Sequence, residues 1–321
     1  RAVPPECYGS PDTACSFSSS IRFRGGCPIH YGAQILRMQN HVRKELSGLA
    51  NRFETFVFDL DGVVYRGQQV LPHAVATLNR LHEAGRQIFF LTNNSGATRE
   101  QYAQKLLAMG IPATPEQIIT SGWATANYLL KAIPNATVFV VGEPGLKEEL
   151  VAHGFRLIEN PDETLPDAVV VGIDREFTYE RLAQAQDAIL EGARFIATNT
   201  DPTYPAEHRL LPGAGAVVAA IATASGRKPI VIGKPNSEIL MPLIQQRRIN
   251  PHHTLLVGDR LDTDIALANH LHIPSALVLT GVAQRADLEC APMDLLPTWV
   301  LNHLGELLGD AVENLLIHPS A

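Results

Sequence analysis

From residue 53 onward, short apolar runs alternate with segments of helical period. Residues 53–60 (FETFVFDL), 87–91 (QIFFL), 229–233 (PIVIG) and 254–258 (TLLVG) read as buried strands. Residues 71–84 repeat apolar side chains at Leu71, Val75, Leu78 and Leu81 before Gly85, which predicts a helix and its stop. A second helix is predicted over 98–109, capped by Thr98 and ended by Gly110, and a third over 122–133. This alternation predicts a parallel sheet covered by helices. A second α/β pattern begins near Ala136, with strands at 138–141, 168–173 and 195–197 and helices at 145–153, 179–190 and 215–223. After Lys228 the first pattern resumes, with helices at 237–246 and 262–271, a strand at 276–279 and a helical end from about Leu295.

The pattern gives an α/β fold: a Rossmann-like parallel-sheet core, discontinuous over 50–132 and 229–321, with an inserted α/β cap domain at 133–228. Residues 1–49 form an extension. Its first 37 residues carry Cys7, Cys15 and Cys27, a Ser-rich stretch and no sustained periodicity. They contain no apolar segment of the kind a secretory peptide needs, and the cysteines lack the short paired spacing of a zinc site. They read as a disordered tail, or as translation upstream of a start at Met38. Without them only Cys290 remains, which suits a reducing cytoplasm.

Composition narrows the partners. The net charge of −7 argues against a nucleic-acid surface, and no apolar run approaches the roughly 20 residues of a membrane span. Acidity does not exclude an anionic substrate, because lysine and metal charges dominate within a site.

The apolar runs deliver Asp59, Thr92, Lys234 and Asp259 at their carboxyl ends, where ligands of open parallel sheets bind. Asp59 and Asp61 share one side if the strand stays extended, and Gly62 then lets the chain turn away. Asp59 would attack phosphorus, and Asp61 would protonate the leaving oxygen and then deprotonate water. Such paired acids also serve as turn formers or simple cation ligands. Thr92 and Asn93 could bind phosphoryl oxygens without adding charge, while Asn94 and Ser95 equally suit caps and turns. Lys234, aimed by Pro235, would screen repulsion between Asp59 and the incoming phosphate, the alternative being a solvated loop lysine. In Gly258-Asp259-Arg260-Leu261-Asp262-Thr263-Asp264, Asp259 lies nearest the strand end and is the expected metal ligand. Asp264 is expected to orient Lys234 or a metal-bound water, and Asp262 to cap or face solvent. An all-oxygen site of this kind suits Mg²⁺.

The order FVFDLDGVVYRG, FFLTNNS, VIGKP, VGDRLDTDI resembles the four motifs of the haloacid-dehalogenase superfamily of phosphatases, over essentially all of residues 50–321. The long insertion between Asn94 and Lys234, and the segment ATNTDPTYPAEHRLLPGAGAVVAAI at 197–221, are similar to the second-type cap of the NagD-like, pyridoxal phosphatase and phosphoglycolate phosphatase group. The resemblance implies that Asp59 is the nucleophile and Asp61 the acid/base. It implies that Asp59, the main-chain carbonyl of Asp61 and Asp259 hold Mg²⁺, and that Thr92, Asn93 and Lys234 bind the phosphoryl group. Asn199, Asp201, Pro212, Gly213 and Gly215 are candidates for the substrate side of the cap, or else turn and helix-start residues.

The expected function is Mg²⁺-dependent hydrolysis of a small phosphorylated metabolite through an aspartyl phosphate. Candidate substrates are phosphoglycolate, a sugar or glycerol phosphate, a nucleotide or pyridoxal phosphate, with 4-nitrophenyl phosphate as an artificial one. A homodimer is compatible with the chain. The alternatives are a phospho-aspartate receiver-like binding module and a phosphotransferase. A receiver has no reason to carry an acid two residues past the nucleophile, nor an insertion the size of a small domain.

Overall fold

The computed structural model describes residues 46–205, 209–246, 248–309 and 313–314. Chain contacts divide the protein into units 1–42 and 43–321, and everything below lies in the second. The expectation for residues 1–37 falls outside the described residues.

Two parallel sheets organise the fold. The first has the strand order Glu313–Asn314, Trp299–Leu301, Ser275–Val278, Thr254–Gly258, Thr55–Asp59, Gln87–Thr92, Ile118–Thr120, and only the strand Glu313–Asn314 is antiparallel to its neighbour. The second has the order Ile230–Val231, Arg194–Ala197, Ala168–Val171, Thr137–Val141, Arg156–Ile158 and is parallel throughout. The chain passes into the second sheet after the helix Ser121–Ala132 and returns after Val231. This is the expected core with an inserted α/β cap.

Each sheet starts from an inner strand, builds to one side, then crosses to the other. In the first the reversal falls between Thr55–Asp59 and Thr254–Gly258, in the second between Thr137–Val141 and Ala168–Val171. Ligand crevices form outside the carboxyl ends at such reversals.

Local sequence accounts for most element boundaries. The helix Arg99–Ala108 begins at a reciprocal capping box between Thr98 and Gln101. Gly85 and Gly110 follow helices at φ of 71° and 80°, the left-handed region where glycine stops a helix cheaply.

Four expectations are corrected. The run at 229–233 forms the strand Ile230–Val231 of the second sheet, because its main chain pairs with Ile196 and Ala197. The chain end is not simply helical: Trp299–Leu301, a buried run too short for periodicity to show, is a strand, followed by a 3-10 turn at Leu304–Leu308. Residues 237–246 split into a 3-10 turn, Ser237–Ile239, and a short helix, Met241–Gln245, whose first turn holds Pro242. Residues 262–271 begin as a wide π-type turn, Leu261–Ile265, before the helix Ala266–His270. The strands Ile118–Thr120 and Arg156–Ile158 are further short elements with no sequence signal of their own.

The sheets share apolar packing. One cluster joins Val57, Phe89, Leu91 and Leu256 of the first sheet to Val138, Val140, Val170 and Ile196 of the second. Trp123, Ala126 and Leu129 of the helix Ser121–Ala132 and Leu146 and Leu150 of the helix Pro144–Ala152 complete it. The helix Ser121–Ala132 suits this position because its first six residues, SGWATA, are all buried and mostly small. Gly145 closes the join: a Cβ there would lie 2.6 Å from the Ala97 main chain. Gly145→Val should therefore cost about 1–3 kcal/mol through forced separation of helix and loop, read as a lower Tm by scanning calorimetry. An unchanged Tm would show that the two can part without cost.

Candidate active site

The reversal in the first sheet brings three expected residues together. Asp59 ends its strand, Thr92 ends the next, and Asp259 follows Gly258 on the other side. Lys234 arrives from the second sheet: Ile232 and Gly233 still donate to Ala197 and Thr198 carbonyls, after which Lys234 N donates to Asn93 Oδ1 at 2.8 Å. The four side chains converge as expected, but from two sheets rather than one. Asp59, Thr92, Asn93, Lys234, Asp259 and Asp264 are all buried.

The Lys234 ammonium donates to Asp59 Oδ1 at 2.5 Å and Asp264 Oδ1 at 2.7 Å. The π-type turn aims Asp264 back at this lysine, and Arg260 N donates to Asp264 Oδ2 at 3.2 Å. Asp262 pairs instead with Arg260 on the exposed side. Asp59, Asp259 and Asp264 each present an oxygen within 4.8 Å of the others. Burial, with Asp264 and Asp259 nearby, pushes the Asp59 carboxyl well up despite the opposing pull of Lys234. Burial and the Asp264 charge push Asp259 to about 7. Burial works against the Lys234 charge, but Asp264 and Asp59 overcome it and raise its pKa. Three clustered carboxylates against one ammonium leave negative charge that a divalent cation would neutralise. The oxygen-only donor set of Asp59, Asp259 and Asp264 fits such an ion.

The strand does not stay extended to Asp61. Gly62, Val63, Val64 and Tyr65 fold into a tight turn on Leu60 and Tyr65 carbonyls, and Asp61 reaches the cavity from that turn. Burial raises the Asp61 carboxyl, with Lys105 and Lys234 opposing. Gly62 has φ 87°, and a Cβ on it would lie 2.3 Å from Asp259 Oδ2, so the turn requires glycine.

A cavity of about 130 Å³ opens beside these groups. Asp61, Thr92, Asn93, Asn94, Arg260 and Val282 form one wall; Ile173, Asn199, Asp201, Thr203 and Tyr204, all from the segment inserted in the first sheet, form the other, together with Gly213 and Ala214. The hairpin Thr203–Pro205 with Leu210–Pro212 carries Tyr204, whose hydroxyl accepts from Arg175 Nε at 2.9 Å while Arg175 pairs with Glu143. Burial raises the Asp201 carboxyl, with its Asn93 hydrogen bond opposing. Asn94 turns inward as an expected turn former, its Oδ1 accepting from Gly96 N at 2.7 Å.

The Asn93 side chain is held by other protein groups. Its Nδ2 donates to Lys234 O and to the Asp201 carboxylate, and its Oδ1 accepts from Lys234 N. The amide is thereby engaged by protein partners on both its oxygen and its nitrogen. Sequence reasoning missed the Thr280–Ala283 loop, where Val282 N donates to Asp259 Oδ2 at 2.8 Å; a main-chain contact leaves no side-chain signature. It also missed Ile173, Thr203 and Tyr204. Gly281 packs so closely that a Cβ would lie 1.8 Å from Asp259 Oδ2. Gly281→Ala should displace Asp259 and weaken Mg²⁺ binding about 10–100-fold, measured by calorimetric titration; wild-type affinity would show that Asp259 does not hold the ion.

Comparison with known proteins agrees with this geometry. Residues 56–156 match the haloacid dehalogenase-like hydrolase family, and residues 231–307 a second HAD-hydrolase-like family. The acid sugar phosphatase of Staphylococcus saprophyticus is 34% identical over 256 residues, covering 80% of this chain and 97% of that protein. The glycerol-3-phosphate phosphatase of Gallus gallus is 35% identical over 305 residues, covering 86% and 97%. The glycerol phosphate phosphatase of Mycobacterium tuberculosis, solved in complex with magnesium, superposes with a TM-score of 0.77 at 37% identity, covering 83% of this chain and 79% of that one. Among the described residues no helix is long and apolar enough to cross a membrane. An aspartate cluster at a sheet reversal, in a chain so similar to phosphatases, makes this an enzyme rather than a receiver-like binding module: the chain belongs to the haloacid dehalogenase-like hydrolases and is a phosphatase of that superfamily.

Proposed function

We propose that the protein is a Mg²⁺-dependent phosphomonoester hydrolase of the second-type-cap group, NagD-like in organisation, in which the inserted segment, from residue 133 through Val231, acts as the cap over a core of 50–132 and 232–321. The observation that carries this is the Lys234 ammonium fixed between Asp59 and Asp264, beside a cavity walled by Asp61 and Thr92. Asp59 attacks phosphorus: its carboxylate oxygen forms the new bond to phosphorus while the ester oxygen departs. Asp61, kept readily protonated by burial, gives its proton to that oxygen and later takes one from the water that releases phosphate and regenerates Asp59. Lys234 offsets charge on the transferring group, and Thr92 and the Asn93 main chain offer it neutral hydrogen-bond partners. A bound Mg²⁺, held by Asp59, Asp259 and the Asp61 carbonyl, would neutralise phosphoryl charge and let Asp59 stay ionised as it meets an anionic substrate.

The cavity volume supports a short leaving group. The names of the relatives, acid sugar phosphatase and glycerol phosphate phosphatase, support the same class. A small polyol or sugar phosphate is the favoured substrate, with 4-nitrophenyl phosphate serving as a reporter.

Phosphate release from a panel of phosphate esters tests this. Asp59→Asn should fold and lose several orders of magnitude in kcat. A folded Asp59→Asn protein with near-wild-type turnover would exclude the covalent route. EDTA should bring activity to background and added Mg²⁺ should restore it. Full turnover in metal-free buffer would remove the cation from the mechanism.

A further inference from the structure

Asn199 and Asp201, candidates for substrate contact on sequence grounds, direct their polar atoms elsewhere. Asn199 Nδ2 donates to the Asn93 carbonyl at 2.7 Å, and Asn199 Oδ1 accepts from Asp201 N at 3.0 Å. Both Asp201 carboxylate oxygens accept from Asn93 Nδ2, at 3.2 and 3.1 Å. The Asn93 amide in turn closes on the Lys234 peptide at two points, accepting from its N at 2.8 Å and donating to its carbonyl at 3.1 Å. The Asp201 carboxylate lines the cavity, and the Asn93 amide it holds accounts for both of its oxygens.

We propose that Asp201 is a positioning residue for phosphoryl transfer, acting through Asn93 on Lys234; this rests on the phosphatase reading above. An asparagine amide has two donor hydrogens. Lys234 O takes one and Asp201 the other, so the carboxylate fixes which way the amide points. Without it a buried N–H loses its partner, and the two-point grip on the Lys234 peptide loosens. The Lys234 ammonium is then no longer registered against Asp59. The same loop leads directly into Thr203 and Tyr204 on the cavity wall, and Gly213 N and Gly215 N anchor it through the Pro202 and Asp201 carbonyls. One short segment therefore sets the leaving-group wall and the catalytic lysine in a common frame.

Lys234 meets the phosphoryl group that all esters share. Loss of its positioning should therefore lower kcat for every ester alike, whereas loss of a leaving-group contact should change KM and the substrate ranking. The experiment compares wild type, Asp201→Ala and Asp201→Asn on 4-nitrophenyl phosphate and glycerol phosphate, with orthovanadate as a mimic of the transferring group. Asp201→Ala should lower kcat about 10–100-fold on both esters, the scale of a misplaced catalytic group. KM should stay within about threefold, and vanadate inhibition should weaken in step with kcat. Asp201→Asn keeps an acceptor for the Asn93 amide and should recover to within about fivefold of wild type. A changed substrate ranking at wild-type kcat, or wild-type kinetics throughout for a folded Asp201→Ala, overturns the proposal. If Asp201→Ala does not fold, Asn199→Ala removes the other clasp on Asn93 and must show the same kcat-only loss; a wild-type kcat there overturns it equally. Wild-type turnover that Asp59→Asn abolishes, run in parallel, secures the phosphatase reading separately.

Discussion

A lysine ammonium buried between two carboxylates is the constraint around which the rest of the structure is arranged. Burying a charge costs several kcal/mol unless it is paired and hydrogen-bonded. Lys234 meets that demand with Asp59 and Asp264, and each partner imposes a further requirement. Asp264 can face the lysine only because a π-type turn redirects it and Gly258 leaves room: a Cβ on Gly258 would lie 2.1 Å from the Asp264 Cβ. Asp59 lies close to Asp259, and their repulsion is relieved by protonation, toward which burial pushes both carboxyls, or by an added cation. The electrostatics that fix the fold locally are thus the ones that prepare the site for a cation and a phosphoryl group.

The second requirement concerns the main chain. Lys234 leaves the second sheet and must deliver its side chain to the first, so its peptide lies where neither ladder can pair it. Asn93 supplies the missing partner with its own amide. Gly233 allows the approach, since a Cβ there would lie 2.6 Å from Thr198 O and 2.7 Å from Asn93 Oδ1. Ser121, at the start of the helix between the sheets, donates to the Asn93 carbonyl at 2.5 Å. A single residue after the second strand of the core thereby links both sheets, the central helix and the lysine.

The strand-end chemistry was legible in the sequence because buried strands make unbroken apolar runs and Asp59, Thr92 and Asp259 interrupt them at their ends. The insertion was legible because its strands and helices repeat the same alternation. What was not legible follows from interactions that leave little trace in residue type. The sheet membership of Ile230–Val231 depends on which main chain it meets, not on its side chains. Trp299–Leu301 is too short to show a period. The roles of Asn93 and Asp201 depend on contacts across 108 residues of sequence, and in isolation both look like turn formers.

The apolar cluster that runs through the helix Ser121–Ala132 has a consequence for how the enzyme can be cut and recombined. The chain crosses between the sheets at two places, but the energetic seam does not lie there. Trp123, Ala126 and Leu129 belong to a cluster with side chains of both layers, so removal of the inserted segment alone would leave a greasy scar on the remainder. Evolution or engineering that swaps the inserted segment must therefore carry matching changes on that helix. The two layers should also lose protection against amide hydrogen exchange as one cooperative unit, not as a lid that melts ahead of its base.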